Sequence, residues 1–438
     1  MTVVARLQRQ ELGACRGALG PARLLAGPSG PDPESLAQHC ARLGGRIEDA
    51  VGRLRPHQLV SKVRAAGLTG RGGGGFPTAE KLASVLAQHR AKVVIGNGSE
   101  TEPASAKDDL LLRLKPHLVL DGLAVAAAVL RPERTFLVVP SSQAQRSVAQ
   151  AIRERGAGER RAPRVELALG PPNFVGGEES AVVRWLEGFP ALPTFRPPPT
   201  FERGWRGKPT LVQSAETLAH LGLIARFGPD WFRSAGTLHE PGTCLVTLSG
   251  AVSLPGVYEV PIGLPLATLL TAAGSEPAAA ALLVGGYFGS WLQPAQFIDA
   301  TLSRAGLGGL DATLGAGVIH LLTRATCAVR ESQRVVGWLA GQSAGQCGPC
   351  ARGLPAMAEA MGRLSYPPHA THRDRQLLHR WCSQVENRGA CRHPDGVVNL
   401  IRSTLAVFAD EVELHLQGRC SGSAISNLPL PSPGGDVG

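Results

Sequence analysis

A short run, Ser343-Ala344-Gly345-Gln346-Cys347-Gly348-Pro349-Cys350, carries a Cys-x-x-Cys pair on a Gly/Pro turn, and a lone Cys391 follows downstream. Such a turn aims two thiolates at one centre, and a distant cysteine can complete the site. Iron–sulfur clusters and zinc are both held in this way. By residue type alone, zinc would suit Cys347, Cys350, Cys391 and His393, so both chemistries stay open at this point. Cys382 and His393 are the further donors near Cys391. Cys15, Cys40, Cys244, Cys327 and Cys420 stand isolated, and nine cysteines in a chain of 438 residues do not form the dense pattern of a disulfide framework.

Four other stretches have phosphate- or nucleotide-binding character. In Gly67-Leu68-Thr69-Gly70-Arg71-Gly72-Gly73-Gly74-Gly75-Phe76-Pro77-Thr78, the glycines let backbone N–H groups approach and cradle an anion. A helix reading from Ala79 to His89 adds a positive N-terminus, and Lys81 lies on its first turn. The competing reading is a flexible loop. Asn97-Gly98-Ser99-Glu100-Thr101-Glu102-Pro103 follows the apolar run Val93-Val94-Ile95, with Lys107-Asp108 beyond it. Polar loops at the C-terminal ends of strands line the ligand crevice of open α/β sheets; a solvated acidic loop would look the same. Phe174-Val175-Gly176-Gly177-Glu178-Glu179-Ser180 places two acids at a helix start, which helix capping alone explains. Trp205-Arg206-Gly207-Lys208-Pro209-Thr210, leading into Gln213-Ser214 and Glu216-Thr217-Leu218, has no self-evident mechanism.

The elements that must hold these stretches divide the chain. Residues 1–50 read as irregular, with a Pro/Gly-rich linker from Gly27 to Pro33. From 51 to 241 apolar runs (Val93–Ile95, Thr135–Val139, Val165–Leu169) alternate with helical stretches such as Gln143–Arg155, which predicts a parallel α/β sheet. Residues 242–325 read as a small α+β domain, with Cys244–Gly250 and Val257–Val260 flanking Ser253-Leu-Pro-Gly256. Residues 326–421 carry the helical periodicity of a bundle (Val335, Val336, Leu339, Leu400, Leu405, Val412), and 422–438 read as a disordered tail. No apolar stretch reaches the ~18 residues of a membrane span, and the N-terminus lacks a signal-peptide core, so a cytoplasmic location is expected. The formal charge is +10, but it is spread over the chain without a Lys/Arg run, which suits an acidic redox partner rather than nucleic acid. Only six of the 45 basic residues are lysine, and Lys81, Lys107 and Lys208 fall within the motifs.

Taken in order, the motifs resemble the NADH-oxidising flavoprotein subunit of respiratory complex I, a family shared with NAD-linked hydrogenases and formate dehydrogenases. The family patterns are G-R-G-G-A-G-F-P-T, N-A-D-E-x-E-P with K-D, Y-I-C-G-E-E-T-A, W-G-K-P-T-x-V-N-N-x-E-T-L and S-C-G-Q-C-x-P-C. The resemblance spans residues 55–420. It implies a Rossmann-like FMN domain, a small β-grasp domain of the soluble-ligand-binding (SLBB) type acting as a spacer, and a helical bundle carrying an iron–sulfur site. It also implies hydride transfer from NAD(P)H to FMN and single-electron exit through the cluster. By motif match, Gly70, Arg71, Gly72, Gly73, Gly74, Gly75 and Lys81 face phosphates or flavin, as do Asn97, Glu100, Gly177 and Glu178. Glu102, Glu179, Phe76 and Phe174 match the region where NADH lies, and the two glutamates are the candidate catalytic groups. Cys347, Cys350 and Cys391 match three of four cluster ligands.

Several positions depart from the family. Ser99 replaces an Asp, Gln213-Ser214 replace an Asn pair, Phe174 replaces a Tyr, and Leu82 and Ser84 replace aromatics. Arg196 keeps a positive charge, but the ring that follows in the family's K-P-P-F is Pro199, with Phe201 the nearest substitute. Losing a stacking ring costs about 1 kcal/mol and losing a charge-assisted contact about 1.5–3 kcal/mol, so NADH binding is expected to suffer more than FMN binding. Ala344 removes one cluster cysteine, which leaves a [3Fe–4S] centre, or a [4Fe–4S] centre with one non-cysteine ligand. The expected partner is a ferredoxin, a [2Fe–2S] thioredoxin-like subunit or a membrane redox protein. The alternative is a non-catalytic subunit serving as scaffold or one-electron relay.

Overall fold

The structure is a computed structural model that describes residues 11–431 except 29, 53, 157–162, 196–197, 277–278 and 424–426. Strands β2 (Val93–Asn97), β3 (Arg134–Val139), β4 (Val165–Leu169) and β5 (Thr210–Ser214) form a parallel sheet in the order β4-β3-β2-β5. The largely buried β2, β3 and β5 suit strands covered on both faces, while the edge strand β4, Val-Glu-Leu-Ala-Leu, is only partly buried. Val94, Leu137 and Leu211 pack against the helices Pro116–Leu130 and Ala215–Arg233, while Val93, Ile95 and Val212 point to the opposite side, against Val182 and Trp205. Pro116–Leu130 is apolar around nearly its whole circumference because it is internal. Its one charge, Asp121, meets Arg155 at 2.5 Å, Arg226 at 2.8 Å and His39 at 3.0 Å.

The chain builds outward from β2 through β3 to β4, then returns to place β5 on the other side of β2. Ligands of open α/β sheets gather where the strand order reverses. Here that point lies between the C-terminal ends of β2 and β5, where Asn97 pairs in register with Ser214.

A mixed six-stranded sheet follows in the order β1-β7-β6-β10-β8-β9, with β6 (Thr243–Gly250), β7 (Gly256–Pro261), β8 (Ala279–Val284), β9 (Ser290–Leu292) and β10 (Val318–Thr323). Its edge strand β1 (Cys15–Ala18) comes from the N-terminal segment and runs parallel to β7. The expectation of an irregular first fifty residues is therefore corrected. Besides β1, the helices Leu36–Leu43 and Ile47–Val51 form, and the N–H groups of Arg23, Leu24 and Leu25 close on the buried Glu259 carboxylate at 2.9–3.0 Å.

Helices Ala328–Gly341, Leu354–Ser365, His372–Val385, His393–Val407 and Ala409–Leu416 make the bundle, with Val335, Val336, Leu339, Met357, Met361, Leu400 and Ile401 in its core. The described part of the tail is docked, which corrects the disorder expected there. Asn427 and Leu428 N–H donate to Glu331 Oε1 at 3.0 and 2.5 Å, Leu428 is buried, and the Tyr287 hydroxyl donates to the Pro429 carbonyl. Residues 432–438 lie outside the described residues. No described helix is long and apolar enough to cross a membrane.

Candidate functional site

The glycine loop stands at the mouth of the switch point. Gly70 N–H donates to the Phe76 carbonyl at 2.9 Å and closes the base of the loop, and the positive φ of Gly73 (99°) and Gly75 (58°) turns it. Gly72, Gly73 and Gly74 are exposed, and none of their N–H groups finds an acceptor among the described residues. Arg71 anchors the loop from behind: its N–H donates to Thr217 Oγ1 at 2.9 Å, and its guanidinium donates to Thr69 Oγ1 at 3.0 Å and the Pro241 carbonyl at 3.2 Å. The Arg71 carbonyl accepts from Lys107 Nζ at 3.3 Å. Burial works against that ammonium, but Asp108 at 3.4 Å and Glu216 at 2.7 Å outweigh it and hold its pKa well above the ordinary lysine value. From the start of the helix Arg304–Gly308, Arg304 donates to the Gly75 carbonyl at 2.8 Å. Thr217 lies in the Glu216-Thr217-Leu218 part of the fourth motif, but Arg304 carried no local signal, since nothing in its sequence neighbourhood points at a loop so distant along the chain.

Around this loop the motifs converge unevenly. Asn97 Nδ2 donates to the Gly177 carbonyl at 3.0 Å, and its Oδ1 accepts from the Ser99 hydroxyl at 2.7 Å, so the loops after β2 and β4 are tied together. Lys81 Nζ is clasped by the Glu179 carboxylate and the Val212 carbonyl, the latter at 2.9 Å, and Thr200 donates to Glu179 from the other side at 3.1 Å. Glu178 caps the helix Glu179–Leu186, accepting from Ser180 and Ala181 N–H at 2.9 and 3.1 Å; burial pushes its carboxyl up. Ser214 caps the helix after β5 and lies close beneath Gly72. Gln213 is buried, and its amide nitrogen has no partner among the described residues.

Two glutamates face elsewhere. Glu100 turns back to cap the helix Lys107–Leu114, accepting from Asp108 and Asp109 N–H at 3.0 and 2.7 Å and from Ser105 at 2.6 Å. Glu102 reaches across to the second sheet and accepts from Tyr287 N–H at 2.9 Å. Burial lifts both carboxyls to about 7. The Phe174 ring is committed to a junction with Phe288 (4.8 Å between centroids), Trp338 (5.4 Å) and His393 (5.9 Å) and is no free stacking platform. Phe76 remains half exposed at the rim, while Phe201 packs inward against the core of the first domain. Arg196 lies outside the described residues.

The three predicted cluster cysteines are electrostatic neighbours. Burial, reinforced by Cys347 and Cys391, pushes the Cys350 thiol up to about 12, and burial with Glu178 and Cys347 raises Cys391. The backbone N–H groups of Gly345 and His393 pull the other way, lowering the Cys350 and Cys391 thiols respectively, which is the sense that favours cluster thiolates. Neither candidate fourth ligand joins them. Cys382 is buried in the bundle core with its sulfur 3.9 Å from Met357 Sδ, and His393 Nε2 bonds the Leu339 carbonyl at 2.8 Å while its ring packs on Phe174.

Three family models match in order: the Nuo51 FMN-binding domain over residues 63–222, the SLBB domain over 245–282, and the iron–sulfur binding region of NADH-ubiquinone oxidoreductase-F over 330–415. The F subunit of the NADH-quinone oxidoreductase of Mycobacterium tuberculosis H37Rv is 30% identical over 383 residues, covering 83% of this chain and 86% of its own length. The chain belongs to the family of NADH-quinone oxidoreductase F subunits. The NADP-reducing hydrogenase subunit HndC of Solidesulfovibrio fructosivorans is also similar, 28% identical over 404 residues, covering 89% of this chain and 82% of its own length. A chain of an NAD+-reducing [NiFe]-hydrogenase in the H2-reduced state superposes with a TM-score of 0.79 at 27% identity, over 89% of this chain and 68% of that one.

As a member of this family, the chain is an oxidoreductase component carrying FMN and an iron–sulfur cluster, and its relatives bind NADH and work with other redox subunits. The residues present fit both groups. The unclaimed N–H groups of Gly72–Gly74 and the unpaired Gln213 amide suit a phosphate-bearing flavin at the switch point. The three thiols with their N–H donors suit a cluster.

Proposed function

We propose that this chain oxidises NAD(P)H at an FMN held by Gly70–Gly75, Lys81, Asn97 and Gln213-Ser214, and delivers electrons singly to a cluster on Cys347, Cys350 and Cys391. The observation that carries this reading is the shared wall between the two sites. The loop Phe174–Glu178 belongs to the flavin side, yet Phe174 N–H donates to Gln342 Oε1 at 2.9 Å and Glu178 raises the Cys391 thiol. A shared wall of this kind supports electron passage between a flavin and a cluster held on its two sides.

FMN, when bound, supplies a centre that accepts two electrons as a hydride and releases them one at a time. The chain's own residues do the rest. The glycine N–H groups fix the phosphate, and Lys81, freed from Glu179 as an anion enters, adds charge to it. Glu179 is then available to a polar group of the nicotinamide nucleotide. Glu102 acts at a distance, holding the turn before β9 against the crevice. The acceptor that fits is a ferredoxin, a [2Fe–2S] thioredoxin-like subunit or a membrane redox protein, drawn by the net positive charge.

A second reading, a one-electron relay or scaffold without NADH oxidation, is favoured by the commitment of Phe174 and Glu102 to domain junctions. The shared wall is tested by Cys350→Ser in protein reconstituted with FMN, iron and sulfide. Flavin content should hold while the paramagnetic signal of the cluster is lost or converted. An unchanged spectrum would remove Cys350 from the cluster.

A further inference from the structure

Cys327 and Cys420, isolated in sequence, meet at the point where β10 hands over to the bundle. Glu411 and His415 join them, and the ligand atoms of the four all lie within 4.8 Å of one another. Cys327 Sγ is 3.5 Å from His415 Nε2 and 3.7 Å from Glu411 Oε1, and His415 Nε2 is 3.1 Å from Glu411 Oε1. A zinc ion with bonds of about 2.0–2.3 Å in tetrahedral geometry sets its ligand atoms about 3.3–3.8 Å apart, so the separations among Cys327, Glu411 and His415 need little adjustment and Cys420 lies within reach of the same centre.

The histidine is already oriented as a ligand. His415 Nδ1 lies 2.9 Å from the Leu364 carbonyl. A carbonyl only accepts, so Nδ1 carries the proton, and the lone pair of Nε2 faces the sulfur and the carboxylate. His415 and Cys327 are both buried. The backbone carrying Cys420 is fixed independently of these four side chains: Cys327 N–H donates to the Ser423 carbonyl at 3.1 Å and Ser423 N–H to the Ala325 carbonyl at 2.7 Å. A Cβ on Gly422 would stand 2.5 Å from the Cys327 nitrogen, so only glycine allows the strap this close. Glu411 also accepts from Ser421 N–H at 3.0 Å.

We propose that Cys327, Glu411, His415 and Cys420 bind one Zn2+ in a closed tetrahedral site, separate from the iron–sulfur centre. Two sulfurs, one imidazole and one carboxylate select zinc over magnesium or calcium, and four protein ligands leave no open position for catalysis. Binding displaces the two thiol protons to solvent. The role is structural: the ion locks the segment after Ala409–Leu416 against the start of Ala328–Gly341, next to the tail that bonds Glu331.

The test uses the full chain loaded with FMN and its cluster, with metal measured by elemental mass spectrometry and native mass. About one zinc per chain is expected in the parent and in Cys347→Ser/Cys391→Ser, falling to background in Cys327→Ser/Cys420→Ser with flavin content kept. Should the latter variant fail to fold, cobalt titration of the Cys347→Ser/Cys391→Ser protein reads the site directly. Sulfur-to-cobalt charge transfer with tetrahedral d–d bands supports it, and the absence of both overturns it. Zinc that follows Cys347 and Cys391 instead of Cys327 and Cys420, or a Cys327–Cys420 disulfide in anaerobically purified protein, would equally overturn it.

Discussion

Ala344 stands where the family places a fourth cluster thiolate, and the structure brings no other cysteine into its place. Ala344→Cys should therefore raise the iron and sulfide bound per chain and change the paramagnetic spectrum toward that of a four-cysteine cluster. Unaltered iron content in a folded variant would show that a non-cysteine ligand already completes the centre. At the flavin, Lys81→Met removes both a cation and the counter-charge of Glu179. FMN affinity should drop by about 10- to 100-fold, the cost of one charge-assisted contact at about 1.5–3 kcal/mol, measurable by fluorescence titration. At this scale the sequence was informative where chemistry is local. Cys347 and Cys350 share one turn, and the glycines of the phosphate loop are consecutive. It was silent where partners come from far along the chain, as with Arg304 on Gly75, or Cys420 beside Cys327. The motif match also overstated some roles: Phe174, Glu100 and Glu102 sit at the matched positions, but their side chains serve aromatic packing, a helix cap and a domain contact.

Among elements, β2, β3 and β4 were legible because their short apolar runs alternate with helical stretches, whereas β5 (Thr210–Ser214) stood in the sequence only as part of a motif. Strand β1 was not, since Cys-Arg-Gly-Ala carries no strand pattern and is held only by the edge of β7. The docking of Leu428 was hidden for a similar reason, because one apolar residue in a Ser/Pro-rich segment gives no periodicity. Glu100 offers an element-level test. Its carboxylate takes the Asp108 and Asp109 N–H groups at the start of the helix Lys107–Leu114. Glu100→Ala should lower stability by about 1–2 kcal/mol through loss of this cap, read by chemical denaturation of the apoprotein. A loss confined to flavin affinity, with stability untouched, would show that the carboxylate serves the cofactor.

For the molecule as a whole, acid should loosen the first domain in a defined window. Arg155 Nε donates to His117 Nδ1 at 3.1 Å, so the His117 Nε2 proton faces Glu154 at 3.0 Å and the buried ring is neutral. Burial, then Arg155 and His39, lower its pKa to about 4. The folded value lies below the ordinary 6.5, so the stability tied to the neutral ring is complete above pH 6.5 and is lost as pH falls toward 4. His117→Gln should flatten the stability profile across that range by up to about 3 kcal/mol; an unchanged slope would place the sensitivity elsewhere. Glu34 adds a lower window. Burial opposes its charge, but Arg42 and His39 outweigh it and hold it at about 2, so its contribution fades between pH 4.5 and 2. Electron flow from nicotinamide nucleotide to flavin to cluster is read by an anaerobic visible spectrum of the FMN- and cluster-loaded protein before and after NADH. The flavin band should bleach on NADH addition. A bound flavin that ignores NADH and NADPH yet bleaches with dithionite would contradict it and leave the chain a relay.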